Sequence, residues 1–102
     1  IKGTDKVTAV VLRNVKTQEE REFACDAVFF FVGMNPKTEL FPDATKDATG
    51  YIVTDEDMRT SIEGLYAAGD VRAKSFRQVV TAVADGAIAA HTAAAYIDSL
   101  RS

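Results

Sequence analysis

"LYAAGDV", Leu65–Val71, is the stretch on which the fold turns. A short apolar run ends in Gly69-Asp70, and an alanine-rich segment with helical spacing starts a few residues later. The order is strand, acid, short loop, helix N-terminus. A helix N-terminus carries about half a positive charge and several N–H groups without intrahelical acceptors. It therefore favours an anionic or acceptor-rich partner. Asp70 is a carboxylate acceptor suited to ligand hydroxyls, and Gly69 lets a ligand lie close to the backbone. Arg77 and Gln78, read as the first helical turn, add two polar groups beside them. The pattern fits a cradle for a sugar-like hydroxyl at Asp70 and an electron-rich carbonyl at the helix start. It also fits a plain turn, because an Asp near a helix N-terminus is favourable with no ligand present.

Downstream, Phe76, Val80, Val83, Ala87, Ala90, Ala94 and Ile97 recur in steps of three or four. That spacing predicts a helix from about Ser75, its N-cap, to about Leu100, with this set along one face. The other face is also mostly Ala, so the helix is expected to be well buried. Gly86 is then expected at a close packing contact or a slight bend. Thr81 and Asp85 share a face with Arg77. They read as a solvated polar stripe, with Asp85 free to pair with Arg77 or another residue. His91 reads as a structural or surface histidine.

Upstream, "KVTAVVLRNV" (Lys6–Val15) reads as a strand, joined through a turn near Lys16-Thr17-Gln18 to a second strand in "QEEREFAC". "AVFFFVG" (Ala27–Gly33) is a continuous apolar run, expected to be a third strand buried on both faces. The three make an antiparallel meander. Pro36 and Pro42 break the pattern. A short strand is expected at Tyr51–Thr54 after a turn at Gly50, and another at Leu65–Ala68 after a turn at Glu63-Gly64.

Composition excludes several classes. A net charge of -3, with the 12 Lys and Arg scattered, argues against nucleic-acid binding. The single cysteine, Cys25, allows no internal disulfide and reads as a small buried residue or an ordinary thiol without a catalytic role. One Cys and one His make no zinc site, and Asp55, Glu56 and Asp57 read as a solvated loop. No uninterrupted apolar run reaches the ~18 residues of a membrane span, so no membrane role is expected. The start at Ile1, without a leader motif, suggests a segment of a longer protein.

"MRTSIEGLYAAGDV" resembles the C-terminal Thr-x-x-x-Gly-hydrophobic-x-Ala-x-Gly-Asp segment of FAD-dependent pyridine nucleotide–disulfide oxidoreductases. "RQVVTAVADGAIAA" (Arg77–Ala90) narrows this to the thioredoxin reductase group, and "VFFFVGMNPKTELF" (Val28–Phe41) is similar to the segment where that group's chain leaves its NADPH domain. The chain also stops soon after the helix, without the long dimerisation domain of glutathione reductase or lipoamide dehydrogenase. The resemblance implies an α/β fold, part of a flavoprotein with two dinucleotide-binding domains. Residues 1–33 would be the meander of the NAD(P)H-binding domain and residues 34–102 the returning segment of the FAD-binding domain. Gly69, Asp70, Arg77, Gln78 and Val79 would be cofactor-binding. Asp70 would bond the ribityl chain of FAD, and residues 77–79 would face the flavin pyrimidine largely through backbone groups.

The implied activity is an NADPH-dependent disulfide reductase. Hydride passes from NADPH to FAD and then to a redox cysteine pair that this chain lacks, with thioredoxin or a similar disulfide protein as partner. The expected setting is a cytoplasmic homodimer. No Gly-x-Gly-x-x-Gly and no Cys-x-x-Cys is present, so the segment alone is expected to be inactive, with no catalytic residue. Glu63 also stands where the family often has Pro. The alternatives are a ferredoxin–NADP reductase, a peroxiredoxin reductase, or a non-catalytic flavin-binding or oligomerising module.

Overall fold

The computed structural model describes residues 1–102, which divide into two compact units, Ile1–Met34 and Asn35–Ser102.

The first unit is a β-hairpin. β1 (Ala9–Arg13) pairs antiparallel with β2 (Glu20–Ala24), Val11 opposite Glu22. The β-branched run of β1 suits a pleated surface. The turn is made by Asn14, whose Oδ1 accepts the N–H groups of Lys16 (2.9 Å) and Thr17 (3.1 Å). Gln18 closes it in the left-handed region, φ 63°, donating its N–H to the Asn14 carbonyl at 2.8 Å. The N-terminus doubles back on β1 through Gly3, where an added Cβ would collide with the Lys6 carbonyl.

The expected third strand does not form. Ala27–Gly33 has no ladder, and Phe29, Phe30, Phe31 and Val32 are 72–94% exposed. The meander is thus two-stranded. An all-apolar run becomes a strand when neighbours satisfy its edges and cover both faces, and the first unit supplies neither.

The second unit is built from extended segments laid against one long helix. Its core is Ala44, Ile52 and Ala67, flanked by Ile62, Leu65 and Val71. Single bridges replace the two predicted strands. Ile52 donates its N–H to Val71 O (3.0 Å) and accepts from Ala73 N–H (2.8 Å), a parallel bridge to Arg72. Tyr66 bridges Arg59, and Ala67 N–H reaches Met58 O at 3.1 Å. Ala67 is buried but Leu65, Tyr66 and Ala68 are only half-buried, so this segment is not covered on both faces. Turns between the segments are fixed locally. The Asp47 carboxylate accepts three bonds from Thr49 and Tyr51, and Asp55 accepts the N–H groups of Asp57 and Arg59. These bonds hold both carboxylates below the usual range.

Helix α1 (Val79–Arg101) is 23 residues long. It starts later than the spacing predicts, with Gln78 and not Ser75 at the N-cap. Thr81 makes the difference: its Oγ1 accepts the Gln78 N–H at 3.1 Å and lies 2.9 Å from the Gln78 carbonyl. The inward face of the helix is the more polar one. Asp85 and Thr92 are buried, and Ala82, Ala89, Ala93 and Tyr96 are half-buried. The helix is not well buried as expected, and the apolar set read from the spacing starts on the open side: Phe76, Val80 and Val83 are 62–71% exposed. Gly86 lies on that outer side, and a Cβ added there would meet nothing within 4 Å, so close packing does not explain it. The close contact is elsewhere, where Gly64 (φ +77°) lets the Tyr96 ring lie 3.4 Å from its Cβ position. By length and mean hydropathy (1.2) α1 meets the dimensions of a membrane span. Asp85, ion-paired on its inner face to Arg72 and Lys74, instead ties it to its own unit.

Candidate functional site

The end of the Leu65–Ala68 segment runs into a single 3-10 turn, Gly69–Val71, which packs against α1. Gly69 is buried with φ +81°, and its Cβ position is 3.4 Å from Ala82 Cβ. A side chain there would be strained in backbone and crowded by the helix. Asp70 is exposed, and no hydrogen bond or ion pair engages its carboxylate among the described residues. Val79 and Val80 open the helix, 79% and 71% exposed. Their N–H groups belong to the first turn, which has no intrahelical acceptor. An unpaired acceptor and a set of unpaired donors thus stand at two elements that touch.

Arg77 joins the two elements. Its Nε donates to Asp70 O (3.1 Å) and its Nη2 to Arg72 O (2.9 Å), while the guanidinium lies over the Tyr51 ring, 3.7 Å from its centroid. Such a stack contributes on the order of 0.5–1 kcal/mol. The Arg77 side chain is therefore committed to holding the loop. It lies before the helix, not in its first turn, and Gln78 is the N-cap. The five residues singled out from sequence fall together, but the side-chain donor expected from Arg77 is spent internally.

Behind the turn lies a cluster that sequence reasoning missed. Asp85 accepts the Gly69 N–H (2.9 Å), Arg72 Nη1 (2.8 Å) and Lys74 Nζ (2.9 Å). The three charged side chains are only 10–14% exposed. Burial pushes the Asp85 carboxyl up, but the bonds from Lys74, Arg72 and Gly69 outweigh it and bring it down to about 2. Arg72 also donates through Nε to Thr54 Oγ1 at 2.7 Å. Asp85 is thus a buried counter-ion, not part of a solvated stripe, and its partners are Arg72 and Lys74, not Arg77. A usable signal is present in the sequence: a lone acid near the middle of an Ala-rich helix needs cations, and "DVRAKS" supplies two. His91 is exposed, and Cys25 is a half-buried free thiol of the first unit. No cluster of His, Cys, Asp or Glu could hold a metal ion.

Known proteins share this sequence and this fold. Residues 1–86 match the family model for pyridine nucleotide-disulphide oxidoreductases. The whole chain is 68% identical to one third (33%) of a thioredoxin reductase of Treponema pallidum (strain Nichols). It is 49% identical over 98 residues to a 34.2 kDa protein in the rubredoxin operon of Clostridium pasteurianum. The chain spans about a third of the length of these curated relatives. Among solved structures, Lactococcus lactis thioredoxin reductase superposes with a TM-score of 0.72 at 48% identity, covering 97% of this chain and 33% of that one. A ferredoxin-flavin thioredoxin reductase of Clostridium acetobutylicum gives a TM-score of 0.58 at 35% identity, covering 99% of this chain and 32% of that one. The hairpin, bridged segments and long helix are therefore part of an α/β flavoprotein fold, and the chain belongs to the pyridine nucleotide-disulphide oxidoreductases as a thioredoxin reductase-like member.

Proposed function

We propose that this segment holds the ribityl and pyrimidine part of FAD in an NADPH-dependent thioredoxin reductase. The observation that carries the reading is the pairing of a free Asp70 carboxylate with the unpaired N–H groups at the start of α1. The residues fit the group. Asp70 is acceptor-only when ionised and suits a chain of hydroxyls. The N–H groups of Val79 and Val80, left open because Thr81 Oγ1 already takes that of Gln78, and the positive helix end suit the electron-rich pyrimidine carbonyls. Gly69 keeps the backbone open to close approach.

When bound, FAD supplies two-electron transfer between a nicotinamide and a cysteine pair, and this chain carries neither a Cys-x-x-Cys nor a Gly-rich phosphate loop. The work of these residues is to bind, orient and polarise. Asp70 fixes the hydroxyl chain, and the helix end favours negative charge at the pyrimidine. Residues 1–33 belong on this reading to the NAD(P)H-binding domain and residues 34–102 to the FAD-binding domain. The reductase would act on thioredoxin or a similar disulfide protein, as a cytoplasmic homodimer. The ferredoxin-flavin relative supports a second reading, in which the same flavin segment serves a ferredoxin-linked reductase.

The test is FAD affinity of the full-length protein that carries this segment. Asp70→Ala weakens FAD binding about tenfold or more, the loss of a charge-assisted hydrogen bond. Unchanged affinity contradicts the reading.

A further inference from the structure

We propose that Asp85 is a positioning residue for the flavin site, setting from inside α1 the direction in which Asp70 presents its carboxylate. The inference deepens the flavin reading above and rests on it. Asp85 cannot touch a ligand itself, since it is buried and its oxygens already face Gly69, Arg72 and Lys74. What it does touch is the backbone N–H of Gly69, the residue just before Asp70.

The backbone around Asp70 is fixed at three successive points. The Gly69 N–H is taken by Asp85 Oδ2 at 2.9 Å. The Gly69 carbonyl accepts the Arg72 N–H at 3.2 Å. The Asp70 carbonyl accepts Arg77 Nε at 3.1 Å. The Asp70 carboxylate is left without a protein partner. Of the three clamps, the one from Asp85 comes from within the helix whose N-terminus forms the other half of the site. Ala82, one turn earlier on the same face, closes the space beside Gly69. Gly69 is the residue with the most backbone freedom in the turn. Pinning it removes the rotation that would swing Asp70 away from the helix start.

The site also demands a carboxylate. Three donors converge on Asp85, two of them cationic, and an ionised Asp is acceptor-only. Asn at this position places an NH2 against one of those donors. No buried side-chain polar atom in the structure lacks a partner, so the network has no slack to absorb that change.

The test is a double-mutant cycle on FAD affinity in the full-length flavoprotein, measured well below the unfolding temperature. Asp85→Asn is expected to weaken FAD binding about fivefold when Asp70 is present and less than about twofold in an Asp70→Asn background, because residues linked through a shared backbone shift couple. Asp85→Asn of equal effect in both backgrounds overturns the inference and leaves Asp85 a structural ion pair. So does an Asp85→Asn effect below about twofold with Asp70 present. An unchanged affinity of Asp70→Asn alone instead overturns the underlying flavin reading. Should Asp85→Asn fail to fold, Lys74→Met, which loosens one side of the same carboxylate, replaces it in the cycle with the same criteria.

Discussion

Both units carry ion pairs, and the difference between them separates surface decoration from architecture. In the first unit Lys2 pairs with Glu22 and Arg13 with Glu20 across the hairpin, each side chain more than half exposed. In the second, Asp85 is enclosed with Arg72 and Lys74 and also holds a backbone N–H. Water and salt screen the first kind, which contribute roughly 0–1 kcal/mol. The second kind is costly to assemble and more costly to break, since removing one partner strands buried charge. The same contrast runs through the apolar residues. The first unit buries only Ala9 and exposes Phe29–Val32, whereas the second has a small continuous core. The hairpin is held by local pairing, and the helix unit by long-range contacts converging on one acid.

The two units should diverge most at Asp85. Asp85→Ala leaves Arg72 and Lys74 without their counter-ion and destabilises the second unit by about 3 kcal/mol, read as a shift in denaturant midpoint. Acid gives a smaller, reversible version. The folded carboxyl titrates at about 2 against an ordinary 3.8, so its stabilisation is full above the unfolded value and fades as pH falls through that window. The loss is about 2 kcal/mol, so the gap between the stability–pH curves of wild type and Asp85→Ala should narrow from about 3 to about 1 kcal/mol as pH falls to about 2. At the hairpin, Arg13→Gln should change stability by less than about 0.5 kcal/mol, and salt should erase even that. A large Arg13 effect, or a small Asp85 one, would collapse the distinction.

What the sequence discloses divides along physical lines. The existence and length of α1 follow from its spacing, but its inward face does not. Alanine on both sides gives no apolar asymmetry, and in this chain the side with Asp85, Thr92 and Tyr96 faces the core while Val80 and Val83 face out. The N-cap falls at Gln78 and not Ser75 because a downstream Thr81 caps backward, a contact that a forward scan for Ser or Asp overlooks. Phe29–Val32 is legible as a buried-strand composition. A strand, however, is made by its neighbours, and its own unit offers none. The Gly69-Asp70 turn beside a helix start is legible because all of its parts are near in sequence. Asp85 is harder because its partners stand 11 and 13 residues away in an irregular loop. The stacking of the Arg77 side chain on Tyr51 depends on a residue still farther upstream.

The central claim is that Asp70 and the start of α1 are two halves of one flavin site. A crystal structure of the full-length protein with FAD bound tests it most directly. The expected result is the Asp70 carboxylate within about 3 Å of a ribityl hydroxyl and the N–H groups of Val79 and Val80 turned to the pyrimidine edge. FAD bound with Asp70 facing solvent, away from the ribityl chain, would contradict it.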